Sequence, residues 1–125
     1  MRTESVGRLG LVVTIAAVLV GCSPSPPSTS NGDPVGQWGE IREKQPYLTI
    51  NADGTVLGHD ACNGMSGDWH NEEGVVHFDD MMMTLVMCEG VDTWLGAART
   101  AIVDGDTLRV INENGEEVGL LPRVP

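Results

Sequence analysis

Apolar residues in the second half of this chain recur mostly at every other position, in short runs separated by turn-forming residues, which is the pattern of an antiparallel sheet with one buried face. Tyr47 to Asn51 and Thr55 to His59 flank Ala52-Asp53-Gly54, where glycine supplies the positive φ of a tight hairpin. Gly67 to His70 and Val75 to Asp79 flank Asn71 to Gly74 in the same way, and Asn114-Gly115 stands between Thr107 to Ile111 and Glu117 to Leu121 as a type I′ turn signal. One segment departs from the two-residue period. Val91, Trp94, Leu95, Ala98, Ala101 and Ile102 fall on one stripe at helical spacing, with Gly105 just beyond, so the pattern predicts a helix over Val91 to Val103 covering one face of the sheet. The fold class this predicts is α+β, mostly β, built of hairpins.

The second hairpin can be read face by face. If its loop is Asn71 to Gly74, His70 lies opposite Val75, Trp69 pairs with Val76 and Gly67 with Phe78 on the inner face, and Asp68 meets His77 on the outer face. Both His70 and His77 then point to solvent.

The N-terminal third has a different pattern. Arg2 and Arg8 precede an apolar run from Leu9 to Val20, shorter than the ~20 residues that span a bilayer as a helix, so it reads as the core of a secretory signal. The run ends in Leu19-Val20-Gly21-Cys22, which resembles the bacterial lipobox and implies cleavage before Cys22 and lipidation of that cysteine. The alternative is an ordinary secretory signal with an incidental cysteine. Ser23 to Pro34 has nothing to bury and several prolines, and reads as a solvated spacer. The organisation expected is therefore a signal peptide over 1–21, a lipidated spacer over 22–34 and one folded domain over 35–125, tethered to the extracytoplasmic side of a cell membrane by its lipid.

Composition narrows the partners. The chain of 125 residues carries a formal charge of −11, and losing the signal, with two arginines against one glutamate, leaves the remainder more acidic still. Nucleic acid and anionic headgroups both require a basic surface, so neither is an expected partner. Of three cysteines, Cys22 is assigned to the lipid, which leaves Cys62 and Cys88 as a single possible disulfide in an oxidising compartment; two buried free thiols are the alternative.

Candidate chemistry is concentrated between Asp60 and Cys88. Ser66 lies in Gly64-Met65-Ser66-Gly67-Asp68, which lacks the final glycine of a nucleophile elbow, and Asp79-Asp80 and Glu72-Glu73 read as solvated turn carboxylates. Met65, Met81, Met82, Met83 and Met87 with Cys62 and Cys88 would suit Cu(I), but methionine is also a core filler, and alternation places Met81 and Met83 on one face with Met82 on the other. No C-x-x-C or H-E-x-x-H spacing supports zinc, and a separation of 26 positions does not suggest a redox dithiol. The sequence thus predicts no catalytic residue, cofactor or metal, with copper binding through the Met/Cys cluster as the competing reading.

Gly36-Gln37-Trp38, Gly58, Cys62-Asn63, Gly67-Asp68-Trp69, Thr84-Leu85-Val86-Met87-Cys88 and Gly105-Asp106-Thr107-Leu108 resemble, in order and spacing, the motifs of the META domain, the HslJ-like family of bacterial envelope and heat-shock-associated proteins. The resemblance covers nearly all of 35–125 and implies a curved antiparallel sheet or open barrel closed by one helix, with an association with stress and the envelope but no reaction. The chain departs from the family in having Ala61 where glycine is usual before Cys-Asn, and Trp69 where tyrosine is common.

The function expected is non-enzymatic binding of a protein or other envelope partner, or a stress-related role, with the binding face near Asp68, His70 and His77 or at Asp60 and Asn63 in the Asp60 to Ser66 loop. Cys22→Ser is predicted to move the protein from the detergent phase to the aqueous phase on detergent partitioning; equal partitioning of the two forms would refute the lipid anchor.

Overall fold

A computed structural model describes residues 32–125; the expected signal peptide, Cys22 and most of the spacer lie outside the described residues. Eight strands follow one another around a closed antiparallel barrel: β1 (Gly36–Trp38), β2 (Pro46–Ile50), β3 (Thr55–Asp60), β4 (Gly64–Glu72), β5 (Val75–Met83), β6 (Thr100–Asp104), β7 (Thr107–Ile111) and β8 (Glu117–Val124). β1 closes the ring by pairing with β2 on one side and with β8 on the other.

Alternation sends one face of every strand inward, where Trp38, Leu48, Ile50, Val56, Val76, Leu108, Val110 and Leu121 fill the barrel. An apolar interior needs no water, and the Trp38 indole N–H is satisfied by the Pro34 carbonyl at 2.8 Å. Glycine is needed where strands crowd. A Cβ on Gly58 would lie 2.6 Å from the Tyr47 carbonyl and from Leu48 Cδ2.

The first and third hairpins form where the turn signals place them, but the third is not type I′. Asn114 does not have positive φ; the loop runs from Asn112 to Glu116, with Asn112 Oδ1 accepting from the Asn114 and Glu116 amides and Gly115 at φ 80°. In the second hairpin the register differs by two residues from the expected one. Glu73 and Gly74 both have positive φ, forming a two-residue turn, so Glu72 pairs with Val75, His70 with His77 and Trp69 with Phe78. An even shift keeps every side chain on its expected face but changes all its partners. β5 then carries a bulge at Asp80, at φ 47°, where the register slips between Ser66 and Asp68; Met81 is thereby packed against the core, while Met83 is exposed.

The helix expected over Val91 to Val103 does not form, and the sheet is a closed barrel, not an open one. Among the described residues the only helix is a single 3-10 turn, Trp94–Ala97; Thr100–Asp104 is β6, and Gly105 begins the next hairpin turn. Leu95, wholly buried, plugs the barrel from this turn, and Trp94 lies over Gly119, where a Cβ would meet its ring at 2.6 Å. Ala98 and Arg99 then lead into β6, with the Arg99 carbonyl accepting from Phe78 and its amide donating to Ile111.

Strand order gives the barrel two ends with different connections. Because neighbours alternate in direction, the β1–β2, β3–β4, β5–β6 and β7–β8 connections gather at one end, the mouth, and the β2–β3, β4–β5 and β6–β7 turns at the other. The chain enters β1 at the end opposite the mouth. Gly58→Ala is predicted to lower stability by about 1–3 kcal/mol, since a carbonyl cannot move aside as a side chain can; urea unfolding should show a reduced midpoint with unchanged slope.

Candidate functional site: a cross-linked mouth and a histidine pair

The mouth is built from the β3–β4 turn. Asp60 Oδ1 accepts from the Cys62 amide at 2.9 Å and the Asn63 amide at 2.5 Å, while the Asp60 amide donates to the Asn63 carbonyl, so the carboxylate folds the turn around itself. Ala61 takes φ 83° to complete it, a conformation that explains a glycine preference at this position.

Asn63, presented by that turn, grips the chain beyond β5. Its Oδ1 accepts from the Val86 amide at 2.6 Å and the Thr84 hydroxyl at 3.1 Å, and its Nδ2 donates to the Val86 carbonyl at 3.2 Å. The side-chain amide therefore pairs with Val86 as a neighbouring strand would. Thr84 Oγ1 accepts from the Gly64 amide, the Thr84 amide donates to the Gly64 carbonyl, and a disulfide joins Cys62 to Cys88 across a separation of 26 residues. The segment tied down at Thr84, Val86 and Cys88 exposes its side chains throughout: Leu85 is 93% exposed and Met87 96%.

Of the expected binding-face residues, Asp60 and Asn63 are buried at 2% and 8% exposure and are consumed by these contacts. They shape the mouth and are not free to meet a partner. Sequence reasoning weighed Met87 as a soft-metal donor and Leu85 within the family motif, and read neither as an exposed contact residue.

Asp68, His70 and His77 lie together on the outer face of the β4–β5 hairpin, toward the opposite end. The His70 and His77 rings stack with centroids 4.9 Å apart, and Asp79 Oδ2 lies 2.5 Å from His70 Nδ1. Glu72 Oε2 lies 3.6 Å from His70 Nε2 and 3.7 Å from His77 Nε2. The hydrogen bond to Asp79, aided by Glu72, raises the pKa of His70 above the ordinary histidine value. Asp68 pairs with Asp79, not with His77 as the four-residue loop implied.

The methionines are dispersed. Met65 is buried in the core, the Met81 sulfur lies over Gly67 and the Met83 sulfur against Gly96, while Met82 and Met87 are exposed. With both remaining cysteines in the disulfide, the copper reading loses its thiolates. Met65, Met82 and Met83 do line a shallow recess of about 530 Å³ with Tyr47, Leu57 and Thr84, which extends the apolar surface beside Leu85. Ser66 pairs with Met82 and, among the described residues, its hydroxyl is hydrogen-bonded to no histidine.

An eight-stranded antiparallel barrel with an apolar core and a cross-linked mouth is a small all-β scaffold carrying function on its loops. The family profile for the META domain matches residues 28–125, and the chain belongs to that family. No curated protein and no solved structure matches the chain.

Replacing both Cys62 and Cys88 by serine is predicted to cost about 3.5 kcal/mol for a closed loop of this length. Denaturant unfolding of the double variant checks the magnitude; an unchanged midpoint would remove the disulfide as a stabilising element.

Proposed function

We propose that this protein is a lipid-anchored lipoprotein of the extracytoplasmic membrane surface whose META domain works without catalysis, binding an envelope protein through the apolar crest at its mouth. The observation that carries this reading is the pair Leu85 and Met87, almost fully exposed yet mounted on backbone fixed by Asn63 and the disulfide. Exposing such side chains is unfavourable unless something covers them, and fixing them in advance lowers the entropy that a partner's docking must overcome. Leu57, Val86 and Met82, also exposed, extend the same surface.

The orientation supports a protein partner over the anchoring bilayer. An anchor at Cys22 would lead into the barrel at the end where β1 begins, opposite the crest, which leaves the crest free to meet a protein. A disulfide at the mouth suits the same compartment.

A photocrosslinking residue at Leu85 in the anchored protein is predicted to give one discrete protein adduct in cells. Excess unlabelled protein should compete the adduct away, whereas its Leu85→Asp/Met87→Asp form should not. Both side chains lie outside the core, so these changes alter stability little. Absence of an adduct, or an equal adduct from a crosslinker at Arg109 on the barrel wall, would overturn the reading.

A further inference from the structure

Four side chains on the outer face of the β4–β5 hairpin form a set independent of the mouth. His70 and Glu72 are two apart on β4, and His77 and Asp79 are two apart on β5, so all four project from one surface. His70 and His77 face each other directly, while the Asp79–His70 and Glu72–His77 contacts run along the diagonals.

We propose that His70 Nε2, His77 Nε2 and Glu72 Oε2 bind a divalent transition-metal ion of the zinc class, with Asp79 holding His70 through its other ring nitrogen. Ligand atoms of these three residues lie within 4.8 Å of one another. Zinc bonds of about 2.0–2.2 Å in a tetrahedron place neighbouring ligand atoms about 3.3–3.6 Å apart. The two distances from Glu72 Oε2, 3.6 and 3.7 Å, already approach that spacing. Tilting the stacked rings toward Glu72 completes the convergence, and all three side chains are solvent-accessible enough to do so without backbone movement, at 50%, 34% and 65% exposure for His70, His77 and Glu72.

The Asp79 contact sets the chemistry. A carboxylate accepting from Nδ1–H fixes the neutral imidazole in the tautomer whose free lone pair is on Nε2, the atom turned toward Glu72. Two imidazole nitrogens and one carboxylate suit zinc, nickel or copper(II) and not the all-oxygen preference of calcium or magnesium. Three protein ligands leave the fourth position to water or to a donor from another molecule. No helical or short-range cysteine spacing announces this site, because its members come from two strands and meet only in the register that the Glu73-Gly74 turn imposes.

The test is calorimetric titration of ZnCl2 into the full chain, purified in detergent and stripped of metal, at neutral pH. One zinc per chain is expected. His77→Ala and His70→Ala should abolish saturable binding, Glu72→Gln should weaken it at least tenfold, and Asp79→Asn should weaken it about 10- to 100-fold. His59→Ala, whose ring instead stacks on Tyr47 with centroids 6.2 Å apart, should bind as the unmodified protein does. A second readout is nitrogen NMR, in which the His70 and His77 Nε2 resonances should move with zinc while His59 stays. Absence of saturation at millimolar zinc, or binding undiminished in a folded His77→Ala variant, would overturn the proposal.

Discussion

A sheet closed on itself has no free edge, and here closure rests on a strand of three residues, Gly36–Trp38, paired on both sides. Trp38 gives so short a strand its hold. Its ring is wholly buried, its N–H reaches the Pro34 carbonyl, and the Arg123 guanidinium lies 4.0 Å from the ring centroid. Arg123 also donates to the Val35 and Asp33 carbonyls, so a residue of the last strand fastens the backbone just ahead of the first. Without that seam β2 and β8 would each present an unpaired edge, and the interior would lose its largest side chain.

The turns of this barrel were legible in the sequence where glycine or asparagine marks them. Gly54 and Gly115 sit at positive φ in loops that the pattern located, and the faces of β4 and β5 follow from alternation as far as Asp79, beyond which the Asp80 bulge switches β5. The register of that hairpin was not legible, because glutamate is not the residue expected at the first position of a type I′ turn, yet Glu73 adopts φ 52°. A four-residue loop and a two-residue turn predict the same faces but different neighbours, and the histidine pair exists only in the second. The helix expected over Val91 to Val103 was a coincidence of spacing: Leu95 and Ala98 are buried as a plug, whereas Ala101 and Val103 are buried as alternate residues of β6. The β-branched run Thr100, Ile102 and Val103 before Gly105-Asp106 carried the strand signal that a period count overrode.

The two ends of the barrel divide the chemistry of the Asp60 to Cys88 stretch. At the mouth, Asp60 and Asn63 are turned inward to hold backbone, and the segment they hold exposes the apolar Leu85, Val86 and Met87. On the β4–β5 hairpin the apolar residues are turned inward and the exposed surface carries titratable groups. Strand alternation produces the second arrangement. The first requires a buried carboxylate and a buried amide, which is why residues that look like recognition groups in the sequence prove to be framework in the structure.

Because the chain enters at one end of the barrel and the crest stands at the other, a pull between them runs along the strands. Such a load acts in shear on β1, straining its ladder bonds to β2 and β8 together; a pull across the strands would open them one after another. The disulfide lies at the far end of that line and bears the load covalently from Cys62 to Cys88. Under such a pull the three-residue first strand would share the load with few ladder bonds, while the opposite end of the barrel is held by a covalent link.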